Sequence, residues 1–385
     1  MSSSTPLDKP AASPRARIAG RATPQETLRY AARFQGRSAA GHFREAPGGL
    51  LFSSIGIGTY LGEADRATDE AYTAAVSAAV EGGANVVDTA INYRFQRSER
   101  SVGAALGKLL SRGFSRGEII LCTKAGFLTP DGEMPVDVNE YFSREYLDRG
   151  ILRPEEIAAG CHSMAPRFLA DQLERSLGNL GVECVDIFYL HNPETQLTEI
   201  PADEFRRRIR EAFAFLESAV AAGKIGAYGM ATWNAFRDEP RGAGYLSLAE
   251  MAAIAREAGG PDHHFRFVQL PLNIAMPEAF TRPNQIVEGK TMAMVKAARL
   301  LGITLVASAS LLQGQLSKNL PPYIRAALGP HDDSALALQF VRSVPGVTTA
   351  LAGMSRIEHV HANLALVAVE PAPRDRLLKL FEPHA

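Results

Sequence analysis

Four side chains of complementary chemistry sit at or just past the ends of short apolar runs. Asp88 and Tyr93 fall in VVDTAINY (86–93), Lys124 closes IILCTK (119–124), and His191 follows CVDIFYL (184–190) in FYLHNPE. A phenol, with a pKa of about 10, is a poor proton donor at neutral pH, and a neighbouring ammonium lowers that value. A carboxylate beside the ammonium favours its charged form in a partly buried site. On this logic Asp88 holds Lys124, Lys124 tunes Tyr93, and Tyr93 protonates a carbonyl oxygen as hydride arrives at the carbon. His191 would add a hydrogen bond that orients the carbonyl. Singly, each residue has a plainer explanation as a turn cap, a packing ring or a solvated strand end. Four together on three consecutive runs point to a site.

Such a site requires the runs to end at one rim. From residue 49 onward, β-branched apolar runs alternate with segments of helical period. The candidate strands are 51–59, 84–89, 119–124, 184–190, 224–230, 265–272, 303–308 and 348–353. They largely lack polar alternation, as expected of parallel strands buried on both faces. Between them, segments such as 69–83, 98–113, 164–181 and 203–224 carry apolar residues three and four apart, and several close on glycine. Eight strands, each with a helix after it, predict an α/β fold, a (β/α)8 TIM barrel. An open doubly wound sheet would carry GxGxxG after its first strand, and Gly56, Gly58 and Gly62 do not give that spacing. In a barrel the catalytic groups gather at the carboxyl ends of the strands, where these four fall.

Composition narrows the function class. The 385 residues are 46% hydrophobic and 22% charged with a net charge of -1, so no global field attracts nucleic acid or an anionic membrane. No apolar run of membrane-spanning length occurs, which leaves a small-molecule substrate, with homo-oligomerisation open. Three scattered cysteines, Cys122, Cys161 and Cys184, signal neither a disulfide framework nor a zinc site and fit a reducing cytoplasm. Residues 1–48 are rich in Ser, Pro, Ala and Arg and are expected to form a disordered or loosely packed extension, with one short helix within 27–37. Residues 49–385 then form the barrel domain.

These motifs resemble the aldo-keto reductase family. VVDTAINY is similar to its DTAxxY motif, LCTKAGF to its third-strand lysine segment and YLHNPE to its fourth-strand histidine segment, and the likeness covers about residues 50 to 370. The resemblance implies a barrel that binds NADPH in extended form and reduces aldehydes or ketones, or oxidises the alcohols, with catalytic roles on Asp88, Tyr93, Lys124 and His191. It implies a pyrophosphate loop at Leu312, Gln313 and Gly314, an amide at Gln269, and an adenosine end at Gly353, Ser355, Arg356, His359 and Asn363. A hydroxyl beside a guanidinium suits a 2′-phosphate, hence NADPH over NADH.

The chain departs from the family pattern at the nicotinamide end. Ala231-Thr232 replaces the usual Ser-Asn, and Ser308 aligns with the tyrosine that stacks on the ring. Thr232 or Asn234 is left to meet the carboxamide, and Trp233 or Tyr60 to supply an aromatic. Arg94, Phe95 and Gln96 are bulkier than the usual glycine-rich turn and are expected to narrow the pocket beside Tyr93 or to offer it a cation. Substrate candidates are Tyr60, Trp233, Phe127 and His162, with walls from the long 125–164 segment and from 276–290. Two alternatives stay open: a metal-assisted hydrolase or lyase using His191 and Asp88 as ligands, and a non-catalytic NADPH-binding barrel acting as sensor or subunit.

Overall fold

The computed structural model describes residues 16–46, 48–329 and 332–381. The run read as one strand over 51–59 divides in two. β1 (Phe43–Glu45) and β2 (Leu51–Ser53) form an antiparallel hairpin, and the chain then enters the barrel as β3 (Ile55–Gly58). At the break, Ser54 donates its N–H to the His42 carbonyl at 2.7 Å and accepts from the Ala350 N–H at 2.9 Å, so the backbone changes partners between the two strands.

The barrel continues with β4 (Val86–Asp88), β5 (Ile120–Ala125), β6 (Val185–His191), β7 (Ile225–Ala231) and β8 (Phe265–Pro271). After an excursion through the hairpin β9 (Pro283–Val287) and β10 (Lys290–Ala293), β11 (Thr304–Ser308) and β12 (Val347–Gly353) complete it. The eight barrel strands pair in chain order, all parallel, and β12 closes on β3. The fold is the (β/α)8 barrel expected from the alternation. Helices 66–81, 97–111, 166–180 and 202–221 pack their apolar faces outside the strands. The third of these stops at Gly181, whose φ of 66° is the left-handed cap conformation.

The expected loose extension is instead built into the barrel wherever it is described; residues 1–15 lie outside the described residues. Helix 24–32 buries Tyr30 fully, and the Tyr30 hydroxyl donates to the Val80 carbonyl at 2.5 Å. Arg29 and Arg33 both donate to the buried Glu118 carboxylate. Ala22 donates its N–H to Asp186 Oδ1 at 2.6 Å, and Ala22, Ala46 and Phe52 pack with Val86, Ile187, Phe267 and Val306 inside the barrel. The segment therefore plugs the end opposite the catalytic rim. Polar composition hides this, because the stretch adds only the small Ala22 and Ala46 to the floor beside Phe52, while its large Tyr30 and Phe34 pack with the helical layer outside the strands.

Tyr30→Ala is predicted to destabilise the protein by about 3–5 kcal/mol, as for other buried aromatic truncations. Denaturant unfolding checks it, and a loss under about 1 kcal/mol would match a loosely attached extension instead.

Candidate active site

Strand register brings the four groups together. Asp88 on β4 pairs with Cys122 of β5, Lys124 on β5 pairs with Tyr189 of β6, and His191 on β6 pairs with Ala231 of β7. Lys124 Nζ donates to Asp88 Oδ1 at 2.5 Å, to the Thr89 carbonyl at 2.8 Å and to the Tyr93 hydroxyl at 3.3 Å. The second Asp88 oxygen accepts from Gln269 Nε2 at 2.8 Å. The Gln269 amide thus spends a donor on Asp88, a partner not foreseen for it, while its side chain also lines the site. The Tyr93 and His191 rings meet edge to face at 5.8 Å.

Lys124 is fully buried and Asp88 nearly so, which makes this an internal ion pair. Burial works against the Lys124 charge, but Asp88 and Tyr93 outweigh it and raise its pKa. Burial raises the Tyr93 pKa as well, and the Lys124 charge opposes that rise without overcoming it. The expected net lowering of the phenol therefore does not hold: at neutral pH Tyr93 carries its proton, and Lys124 limits an increase. Burial, then the charge of Lys124 and the proximity of His162, hold His191 well below the usual range, so its imidazole is neutral and offers one N–H.

His162 is not a pocket residue. It is fully buried behind the wall, with Nε2 2.8 Å from the His191 carbonyl and Nδ1 3.1 Å from Gln196 Nε2, and burial lowers its pKa to about 4. Phe127 lies edge-on to both His162 and His191 and lines the cleft. Gly126 permits this packing: its φ is +145°, and a Cβ there would come within 2.7 Å of His162 Nε2. The other aromatics of the 125–164 segment turn inward, with Tyr146 and Phe142 packing around Leu152 and Phe168.

The turn after Tyr93 also differs from expectation. Arg94, Phe95 and Gln96 have φ values of 48°, 55° and 69°, a left-handed run that costs side-chain-bearing residues about 1–2 kcal/mol each. None of the three lines the cleft. Arg94 is buried and donates to Ser98 Oγ, Ser101 Oγ and Asp69 Oδ1, while Gln96 donates to the Pro130 carbonyl. The three residues anchor the turn that presents Tyr93, and they neither narrow the pocket nor supply it a cation.

A cavity of about 1020 Å³ runs from these groups along the carboxyl ends of β11 and β12. Asp88, Tyr93 and His191 occupy one end with Tyr60, Trp233, Phe127, Thr232, Gln269 and Ser308. Gln313, Gly314, Gly353, Ser355, His359 and Asn363 also line it. Leu312 and Arg356 do not line it, although Leu311 does, and the Arg356 side chain is 68% exposed with Nε 3.5 Å from Glu358. The 276–290 segment stands apart, folded into β9 and β10. Asn234, a candidate for the carboxamide, is taken up by Arg237 at 3.0 Å. Thr232 Oγ1 and Ser310 Oγ are buried on the cavity wall with no partner, as fits hydroxyls awaiting a polar ligand.

The aldo/keto reductase family model matches residues 54–324. The chain belongs to that family. Among curated relatives, aldo-keto reductase str7 of Strobilurus tenacellus is 26% identical over 55% of this chain and 44% of its own length. The NADH-specific methylglyoxal reductase of Escherichia coli is 27% identical over 58% of this chain and 60% of its own length. The match thus spans less than two thirds of either relative. An aldo-keto reductase from Klebsiella pneumoniae, solved with NADPH, shares the fold at a TM-score of 0.57 and 20% identity, covering 86% of this chain and 90% of that one.

Within this aldo/keto reductase, several cavity residues carried no signal in the sequence. Asn92, Asn192, Ser310, Lys318 and Asp332 line the cleft from turns and caps, and Ser334 from the first turn of helix 333–343; none stands out by residue type, although Asn92 and Asn192 fall inside VVDTAINY and FYLHNPE. Ser334 donates to Asn363 Oδ1 at 2.9 Å, so the wall there is already ordered. Among the described residues, no group of three or more His, Cys, Asp or Glu side chains is placed to hold a metal ion.

Replacing Lys124 by Met removes the one charge that restrains the phenol. Turnover is predicted to fall by about 10²–10⁴-fold if the phenol acts as a general acid. Its alkaline limb should move to higher pH, because the phenol pKa rises further. A pH–rate profile with an unmoved limb would show that Lys124 does not set that pKa.

Proposed function

We propose that this protein is an NADPH-dependent reductase of an aldehyde or ketone, able to run in reverse on the alcohol, with Tyr93 as general acid and base. The observation that carries the reading is the single ammonium of Lys124 in contact with both the Asp88 carboxylate and the Tyr93 hydroxyl, at the edge of a long cleft. Family membership supports the reaction class, and the cleft's length and its unpartnered hydroxyls fit an extended dinucleotide.

Bound reduced nicotinamide would supply the hydride. The chain's own residues do the rest. His191, neutral, donates a hydrogen bond to the carbonyl oxygen, and Tyr93 gives that oxygen its proton as negative charge develops. Lys124 stabilises the phenolate left behind and is itself held charged by Asp88, whose second oxygen is fixed by Gln269. Thr232 and Ser310 offer hydroxyls to the cofactor, Gln313 and Gly314 border its middle, and Ser355, His359 and Asn363 its adenosine end. Tyr60, Phe127 and Trp233 frame the substrate side, and Tyr60 meets Tyr93 edge to face at 5.0 Å.

Tyr93→Phe is predicted to lower turnover by at least about 10³-fold while leaving NADPH affinity nearly unchanged, because it removes only the transferred proton's donor. Retained turnover would overturn the phenol's role. NADPH binding without oxidation by any carbonyl in a broad panel would instead favour a sensor. Arg356→Ala is predicted to weaken NADPH about tenfold and NADH hardly at all, on the reading that its exposed guanidinium turns from Glu358 to the 2′-phosphate that NADH lacks. Equal losses for the two dinucleotides would remove Arg356 from cofactor choice.

A further inference from the structure

The turn after β7 follows one of the places where this chain departs from the family pattern, and it is held by partners from three other segments. Glu194, three residues past His191, accepts the backbone N–H of Trp233 at 2.7 Å and of Asn234 at 3.3 Å on one carboxylate oxygen. From the opposite side the buried Arg237 donates Nε to the Trp233 carbonyl at 3.1 Å and Nη2 to Asn234 Oδ1 at 3.0 Å, with its charge matched by Glu278 at 2.7 Å. Just upstream, the Ala231 carbonyl accepts from the Asn192 N–H at 2.6 Å, and Thr232 donates its N–H to the Gln269 carbonyl at 2.9 Å. The backbone of this short turn is thus fixed by partners on both sides. The Trp233 indole remains 42% exposed on the cleft wall.

We propose that Glu194 is a positioning residue: its carboxylate, working against Arg237, locks the turn after β7 so that the Trp233 indole stands as a fixed wall of the substrate end of the cleft. The inference rests on the reductase reading for what the wall serves, but not for the lock itself. A carboxylate collecting backbone N–H groups makes charge-assisted bonds, stronger than those a water or neutral group would give. Glu194 follows the β6 end that carries His191, so the lock ties the imidazole's segment to the indole's. The second Glu194 oxygen is buried without a partner, a costly arrangement that a purely space-filling residue would not need.

The test exploits composition: Trp233 is the protein's one tryptophan, so its fluorescence reports this turn alone. In cofactor-free protein, Glu194→Ala is predicted to raise the acrylamide quenching constant of Trp233 at least about twofold. It should also raise KM for carbonyl substrates about tenfold, with kcat changed less than about threefold, the signature of lost substrate placement. Glu194→Gln keeps the shape and one acceptor but not the charge; it should shift both quantities in the same direction by less, and it is the variant to measure if the alanine form does not fold. Wild-type quenching and KM in a folded variant would overturn the proposal. Raised quenching in a protein that binds no NADPH and turns over no carbonyl would leave the lock standing and remove the reductase reading.

Discussion

The buried contact between Asp88 and Lys124 is the interaction on which the rest of the site depends. An ammonium with no exposed surface stays charged only if a carboxylate is beside it and that carboxylate is itself satisfied. Both conditions are met across the sheet: Lys124 comes from β5, Asp88 from β4, and Gln269 from β8, 181 residues away in sequence from Asp88. Only a closed barrel brings these three strand ends to one point. Removing one partner would leave an uncompensated internal charge, at a cost of about 3–5 kcal/mol, so proton chemistry and local stability are coupled here.

Around the pair, the structure fixes each group given a part in the proposed reaction. The left-handed run of Arg94, Phe95 and Gln96 is an uphill backbone held down by Arg94's bonds to Asp69, Ser98 and Ser101, and it delivers Tyr93 to Lys124. Behind His191, the His162 ring grips its carbonyl through the space that Gly126 leaves open. At the far end of the barrel, Phe52 and the 16–46 segment fill the interior beneath the catalytic layer. Tyr93, Lys124 and His191 are therefore held in place by their surroundings. Its open side is lined by Tyr60 and Trp233, which keep exposed surface.

Much of this was legible in the sequence because it is local or periodic. Strand-end placement of Asp88, Lys124 and His191 follows from the length of three apolar runs, and the barrel from their alternation with helical segments. What was not legible depends on contacts between distant segments. Ala22, Tyr30 and Ala46 sit in a polar-looking stretch, and nothing there announces that Tyr30 is buried against helix 66–81 or that the two alanines join Phe52 in the barrel floor. His162 looked like a rim residue because it lies in a long insert, yet the fold turns it behind the wall. The direction of the Tyr93 pKa is not legible in the sequence, because charge proximity follows from pairing alone, whereas burial, the larger cause, requires the folded surroundings. The partner of Arg94, Asp69, lies on a neighbouring helix, a contact that the local sequence does not reveal.

The most direct test of the account is isotopic. The protein is incubated with NADPH carrying deuterium at the transferable position and with an aldehyde panel, and the alcohol is analysed by mass spectrometry. The account predicts one deuterium on the carbinol carbon of the product from wild-type protein and a hydroxyl proton drawn from exchangeable sources. Alcohol formed without deuterium on that carbon, or bound NADPH that transfers none to any carbonyl, would contradict it.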